Sequence, residues 1–207
     1  MKDNKADSRK IGLTIAGLLF FLAGSIALMG IITAEIFYPE VYTTSNNMIS
    51  DLGATEPPNS KIYQPSATIF NMTMILAGIM VLTGTYFLSR EYKDWVAILP
   101  IGLFGLGVLG VGIFPGNVNP QHPLFAMAAF IGGGLSAICS YRIIKSPFKF
   151  AAVLFGLITL VFLFTTGITM PVLGGGGTER WVAYPVILWL IGFGGYLLGA
   201  AEQRKAA

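Results

Sequence analysis

The chain has 207 residues and a net charge of +3, and 54% of its residues are apolar while 11% are charged. Soluble domains carry about 25% charged residues, so this composition excludes a water-soluble globular fold, a nucleic-acid-binding module and a disordered tail. The single cysteine, Cys139, excludes an intrachain disulfide and a thiolate zinc cluster, and the single histidine, His122, excludes a multi-histidine metal site.

Charge-free runs divide the chain into six predicted membrane-spanning helices, since a helix needs about 20 apolar residues to cross a bilayer. These spans cover residues 11–34, 64–88, 96–115, 124–143, 151–172 and 182–201. The first run is longer than the apolar region of a signal peptide and is interpreted as a retained span. We therefore predict an all-α polytopic membrane protein, with one six-helix domain over residues 1–207 and an ordered extracytoplasmic first loop at 35–63.

The positions of lysine and arginine predict the orientation of these spans. Eleven of the 13 basic residues lie in the two terminal tails and in the second and fourth connections, and only Lys61 and Arg180 lie on the other side. The sequence therefore predicts a cell-membrane protein with both termini in the cytoplasm. The basic balance reflects topology and not a nucleic-acid partner.

Polar residues within the predicted spans lie mostly in the outer halves. They comprise Thr68, Asn71 and Thr73 of span 2 and Thr165, Thr166 and Thr169 of span 5, with Tyr184 and Trp189 in span 6. Polar groups in hydrocarbon face other helices or a wet cavity. This asymmetry favours a polar pocket above an apolar floor, and the alternative is hydrogen bonding between helices without a ligand.

The first outer loop carries the segment Asn-Asn-Met-Ile-Ser-Asp-Leu-Gly at 46–53. Ser50 or Asp51 fits the cap of a short helix, and Asp51 also fits a general base or a cation ligand. We take Asn47 and Ser50, together with Asn71 of span 2, as candidate ligand-binding residues.

His122 begins span 4 at a corner fixed by Pro120 and Pro123. Histidine titrates near physiological pH and serves as a base, an acid or a ligand. The alternative is a structural role, which is the commoner one for a lone histidine at a membrane interface.

The segment Gly-Gly-Gly-Gly-Thr-Glu-Arg-Trp at 174–181 precedes span 6. The planar fork of Arg180 suits a phosphate or a carboxylate, and Glu179 suits a group that orients His122. Alternatively, Arg180 anchors the bundle to Asp51 or to lipid headgroups. Tyr184 and Trp189 are candidate ligand-binding residues or members of an interfacial aromatic belt.

We predict neither a metal nor a cofactor. The acidic residues Glu35, Glu40, Asp51, Glu56 and Glu179 are better explained as a solvated rim than as a cation site. The pattern Gly105-x-Gly107-x-x-Gly110 lacks the strand that precedes a dinucleotide-binding loop. These glycines instead favour close helix packing, and Gly195 and Gly199 have the spacing that permits self-association into a homo-oligomer.

Three segments in this order resemble one known family. They are Ser-Asp-Leu-Gly at 50–53, Gly-Ile-Phe-Pro at 112–115 leading to His122, and Gly-Thr-Glu-Arg at 177–180. The chain resembles the prokaryotic six-span family called domain of unknown function 998, which is distantly similar to the eukaryotic Frag/DRAM/Sfk group, whose members include a factor in lipid remodelling of GPI anchors. The resemblance implies a six-helix bundle with Ser50, Asp51, His122, Glu179 and Arg180 as marked residues on the extracytoplasmic face.

Three functions remain open at this point. The first is binding or handling of a membrane lipid or other amphiphile at the outer pocket, with Arg180 on an anionic headgroup and Asp51 and His122 orienting it. The second is a lipid hydrolase or acyl transferase that uses His122 as base with Asp51 or Glu179. The third is a structural or regulatory membrane protein.

Overall fold

The computed structural model describes the backbone of residues 2–203 and the side chains of residues 10–203. The described chain is helical and has no strand. Its six helices are α1 (Lys2–Ile36), α2 (Ser66–Glu91), α3 (Trp95–Ile113), α4 (Gln121–Cys139), α5 (Phe148–Phe164) and α6 (Thr166–Gln203), with short 3-10 turns at Ser50–Leu52 and Ser140–Arg142.

Five of these helices are long and apolar enough to cross a membrane: α1, α2, α3, α4 with its following 3-10 turn, and α6. Helix α5 is equally apolar but has only 17 residues, so it rises about 26 Å. Large apolar side chains are exposed on the outer faces of the helices, among them Leu76, Leu99 and Leu154. Exposed apolar side chains in this number are typical of membrane-facing helices, so the described chain has the character of a helical membrane protein.

The helices pack in a ring. Each helix contacts the next one along the chain, and α6 returns to pack along α1. Glycines allow the closest approaches, because a β-carbon at Gly107 of α3 would collide with the backbone of Ala129 in α4. The glycine pattern at 105–110 therefore serves helix packing, as the sequence indicates.

The boundary between the last two helices differs from the predicted spans at 151–172 and 182–201. Helix α5 ends at Phe164, and α6 begins two residues later at Thr166 and continues to Gln203. One residue inside α6, Gly174, has non-helical angles with φ 75°. A positive φ strains most residues but not glycine, so Gly174 separates a short segment at 166–173 from a long one at 175–203.

The two ends of the bundle have different chemistry. One end, called the loop end below, carries the segment 37–65 and the α3–α4 connection at 114–120. The opposite end carries an ion pair between Arg142 Nε and Asp94 Oδ2 at 2.6 Å. Near that opposite end, Trp189 Nε1 donates a hydrogen bond to Ser140 Oγ at 3.0 Å, and the Trp189 ring stacks on Phe193.

Candidate functional site

A cavity of about 100 Å³ lies in the centre of the ring. A single water needs roughly 10–15 Å³ on this measure, so the space exceeds one water several times over. Residues of α1, α2, α3, α4 and α6 line the cavity, together with Ile49 and Ser50 of the first loop. Nearly all lining side chains are apolar, and the ones that carry polar groups are Ser50, His122 and Glu179.

These three polar residues lie at the same end of the cavity. Ser50 belongs to the loop end, and His122 lies in the first turn of α4, directly after the α3–α4 connection. Glu179 lies near the start of the long segment of α6, just beyond the glycine run. The cavity therefore has an apolar body and a polar region at the loop end.

His122 is 6% exposed, and its ring is oriented by a backbone carbonyl. Nδ1 lies 2.8 Å from the carbonyl oxygen of Phe114. Because a carbonyl only accepts hydrogen bonds, Nδ1 carries the proton of this contact, and Nε2 of the neutral ring is an acceptor. No second partner of the His122 ring is found among the described residues.

Glu179 fastens the first loop to α6, because its carboxylate accepts a hydrogen bond from the backbone N–H of Ile49. Within residues 10–203, Glu179 forms no ion pair. The loop therefore meets α6 at the point where Ile49, Ser50 and Glu179 all line the cavity.

Asp51 does not line the cavity. Its Oδ2 accepts a hydrogen bond of 2.8 Å from the backbone N–H of Met48, three residues earlier, as an acidic residue does in a helix-capping turn. Burial raises the pKa of the Asp51 carboxyl. The Asp51 side chain thus stabilises the turn that contains Ser50. It does not orient His122, because the Nδ1–H of His122 donates to the carbonyl of Phe114.

Arg180 is 8% exposed and has five acceptors within the protein. Nη1 donates to the carbonyls of Thr44, Asn47 and Gly176, and Nη2 donates to Glu35 Oε1 at 2.5 Å and to the Tyr42 hydroxyl at 2.8 Å. Burial raises the pKa of Tyr42, and its hydroxyl donates onward to the Met48 carbonyl at 2.9 Å. The guanidinium therefore joins α1, α6 and the first loop, whereas the sequence suggested an anionic headgroup, Asp51 or lipid as its partner.

The first loop lies directly on the glycine run of α6 at 174–177, where the two backbones approach closely. A β-carbon at Gly174 would meet the carbonyl of Ser45, and one at Gly176 would meet the carbonyl of Asn47. The N–H of Gly177 donates to the Ser45 carbonyl at 3.0 Å. The absence of side chains here is what lets the loop lie on the helix.

The remaining predicted residues lie apart from the cavity. Asn47 Oδ1 caps the N–H of Thr43 at 2.9 Å, and Asn71 Oδ1 is buried without a partner in the described chain. Trp189 is fully buried in the core and lines neither described cavity. No group of three metal-ligating side chains comes together within the described residues.

Tyr184 lies in a second, more open groove of about 450 Å³ between α5, α6 and the first loop. Arg180 and Trp181 also line this groove. Gly195 and Gly199, further along α6, have open space where a β-carbon would be, since beyond the adjoining residues of α6 no atom of the described residues lies within 4 Å of either position.

Sequence reasoning missed the body of the cavity and the partners of Arg180. Small residues recur at helical spacing in α1, where Ala23 and Ala27 both line the cavity, and this pattern is a usable signal. The sequence does not identify Tyr42 as a partner of Arg180, because this contact depends on how the loop folds over α6.

The comparisons with known proteins bear on the family alone. The family model described as "Protein of unknown function (DUF998)" matches residues 21–196. No curated protein and no solved structure matches the chain. The matched range takes in all three segments on which the resemblance depends, and the chain belongs to the DUF998 family.

Proposed function

We propose that this protein binds a lipid or another amphiphile in the central cavity, with the apolar part of the ligand between the helices and its polar end at Ser50, His122 and Glu179. The observation that carries the proposal is the division of the cavity into an apolar body and a single polar end. Ligand sites are typically apolar hollows with a few convergent polar groups.

The extent of the cavity lining along the helices favours a narrow, elongated ligand. Along α6, lining residues extend from Glu179 to Leu190, and along α2 they extend from Phe70 to Val81. Eleven residues of helix rise about 16 Å. An alkyl chain lying along these helices would have its polar end at the loop end.

We propose further that all six helices span the membrane and that the loop end faces the extracytoplasmic side. The distribution of Lys and Arg supports this orientation. The polar end of the ligand would then lie near the outer leaflet. In this arrangement Arg180 holds the first loop in place, and the ligand contacts fall to the three polar residues of the cavity.

The experiment is mass spectrometry of lipids that co-purify with the protein, compared with the host membrane extract. The wild type is compared with Ala183→Leu and Ala126→Leu, which place added methyl groups inside the cavity from two helices. Gly195→Leu is the matched control, because it enlarges an outward position of α6 that has open space.

The proposal predicts one lipid class enriched with the wild type and with Gly195→Leu, and lost from both cavity variants. Identical bulk lipid in all four samples would overturn it. A chemically altered lipid that reverts to its precursor in His122→Ala would instead favour the membrane hydrolase or acyl transferase.

A further inference from the structure

The three polar residues of the cavity share a hydrogen-bonding character. Nε2 of the neutral His122 ring accepts, since Nδ1 is held by the Phe114 carbonyl. The carboxylate of Glu179 accepts and carries a negative charge when ionised. Ser50 supplies a hydroxyl that both donates and accepts.

The cavity also lacks a positive side chain. Its lining contains neither lysine nor arginine. The nearest arginine in sequence, Arg180, gives its Nη1 and Nη2 groups to five acceptors of the protein itself. An anionic headgroup at the loop end would therefore meet the Glu179 carboxylate with no lysine or arginine in the lining to bind it.

Beside a ligand that cannot donate, Nε2 of His122 would remain without a partner among the described residues, whereas Glu179 would keep only its bond from the first loop. A buried polar group without a partner is costly, and sites built to bond a hydroxyl or an amine reject analogues that lack it. His122 is more than nine-tenths buried, and one edge of its ring has no partner among the described residues. This edge is available to accept a hydrogen bond from an occupant of the cavity.

From this arrangement we infer that the cavity selects an amphiphile whose polar end donates hydrogen bonds, a hydroxyl or an ammonium group, over an anionic or donor-free one. The inference rests on the proposed function, because it names the headgroup class of the same ligand. His122 Nε2 and Glu179 accept hydrogen bonds from the headgroup. Ser50 Oγ forms a further hydrogen bond with a lone pair or a proton of the same headgroup.

The test uses the full chain in phosphatidylcholine nanodiscs and four probes with the same ten-carbon chain: decanol, decylamine, decanoate and decyl methyl ether. Binding is measured by equilibrium dialysis and counted above that of empty nanodiscs. Decanol and decylamine are expected to bind at least about tenfold more tightly than the other two, which corresponds to about 1.4 kcal/mol.

Two variants test which residues produce the headgroup preference. Glu179→Gln removes the charge but keeps an oxygen that accepts from the Ile49 N–H, so it should weaken decylamine binding and strengthen decanoate binding. His122→Leu should reduce the preference for decanol over its methyl ether. Gln121→Leu, an exposed neighbour in the same turn that does not line the cavity, should leave all four affinities unchanged.

The outcomes distinguish a failure of the headgroup inference from a failure of the proposed function. If the ether or decanoate binds the wild type as tightly as decanol, and Ala126→Leu abolishes all binding, the headgroup inference is overturned while the proposed function stands. If none of the four probes binds above the empty nanodiscs, or if Ala126→Leu leaves binding intact, the proposed function fails as well. The wild-type ranking decides the matter even if a variant does not fold.

Discussion

Replacing Arg180 by methionine tests whether this residue holds the first loop on the bundle. The guanidinium donates to acceptors on α1, on α6 and on the loop, and its side chain is only 9% exposed. Methionine fills a similar volume but donates no hydrogen bond. The substitution therefore removes all these contacts together and leaves Glu35 without its cation.

The expected loss of stability in Arg180→Met follows from the burial of the Arg180–Glu35 ion pair. Removing one partner of a buried ion pair costs about 3–5 kcal/mol, whereas an exposed pair contributes about 0.2–1 kcal/mol. The chain offers a matched control at the opposite end, where Arg142 pairs with Asp94 and its side chain is 54% exposed. Arg180→Met should therefore destabilise the protein several times more than Arg142→Met.

The assay is thermal unfolding of the purified wild type and both variants in one detergent, followed by hydrogen exchange of the amides at 43–49. Arg180→Met should lower Tm the more strongly and accelerate exchange in this segment. Arg142→Met should leave exchange there unchanged. Equal shifts of Tm in the two variants, or unchanged exchange at 43–49 in Arg180→Met, would refute the anchoring role.

Four further substitutions, one of them a control, test separate contacts by Tm. Gly176→Ala should lower the free energy of unfolding by about 1–3 kcal/mol, because the added methyl group collides with the loop backbone. Its control, Gly195→Ala, lies in open space and should raise the free energy of unfolding by about 1 kcal/mol through helix propensity. An equal gain at both sites would contradict this. Trp189→Phe should cost about 1–3 kcal/mol, since it loses the bond to Ser140, and should leave probe binding unchanged. Burial raises the pKa of Asp51 above its unfolded value of about 3.9, so ionisation of this carboxyl disfavours folding. The Tm of wild type minus the Tm of Asp51→Asn should therefore decrease as the pH rises from about 3.9 through the raised pKa. A difference that increases with pH would contradict this.

The helical class and the family follow from the sequence because both depend on local information. Charge-free runs mark the helices, and the order of three short segments marks the family. The boundary between α5 and α6 was predicted less well, because the run 174–177 has the composition of a loop. Gly175, Gly176 and Gly177 are helical nonetheless. The first loop packs closely against this run, because a glycine has no side chain that would collide with the loop backbone.

The composition of the site was harder to predict, because it depends on which groups the fold has already paired. Asp51 and Arg180 carry the charges that attract attention in the sequence, yet both are bonded within the protein. Small apolar residues such as Ala23 and Ala126 form the body of the cavity. The helical spacing of Ala23 and Ala27 indicates a face with small residues, but only the assembled bundle shows that this face lines a cavity.

Glu179 and Arg180 show why neighbours in one motif need not share a site. Successive residues of an α-helix point about 100° apart, so one side chain can face the cavity while the next faces the loop. Glu179 lines the central cavity, and Arg180 reaches Tyr42 and Glu35 and lines the outer groove. The pair therefore acts through the loop they both hold: Arg180 fixes its 42–47 part, Glu179 fixes Ile49, and together they bring Ser50 to the polar end of the cavity. If the cavity binds a ligand as proposed, Arg180→Met should weaken binding through the position of Ser50, because Arg180 does not line the cavity.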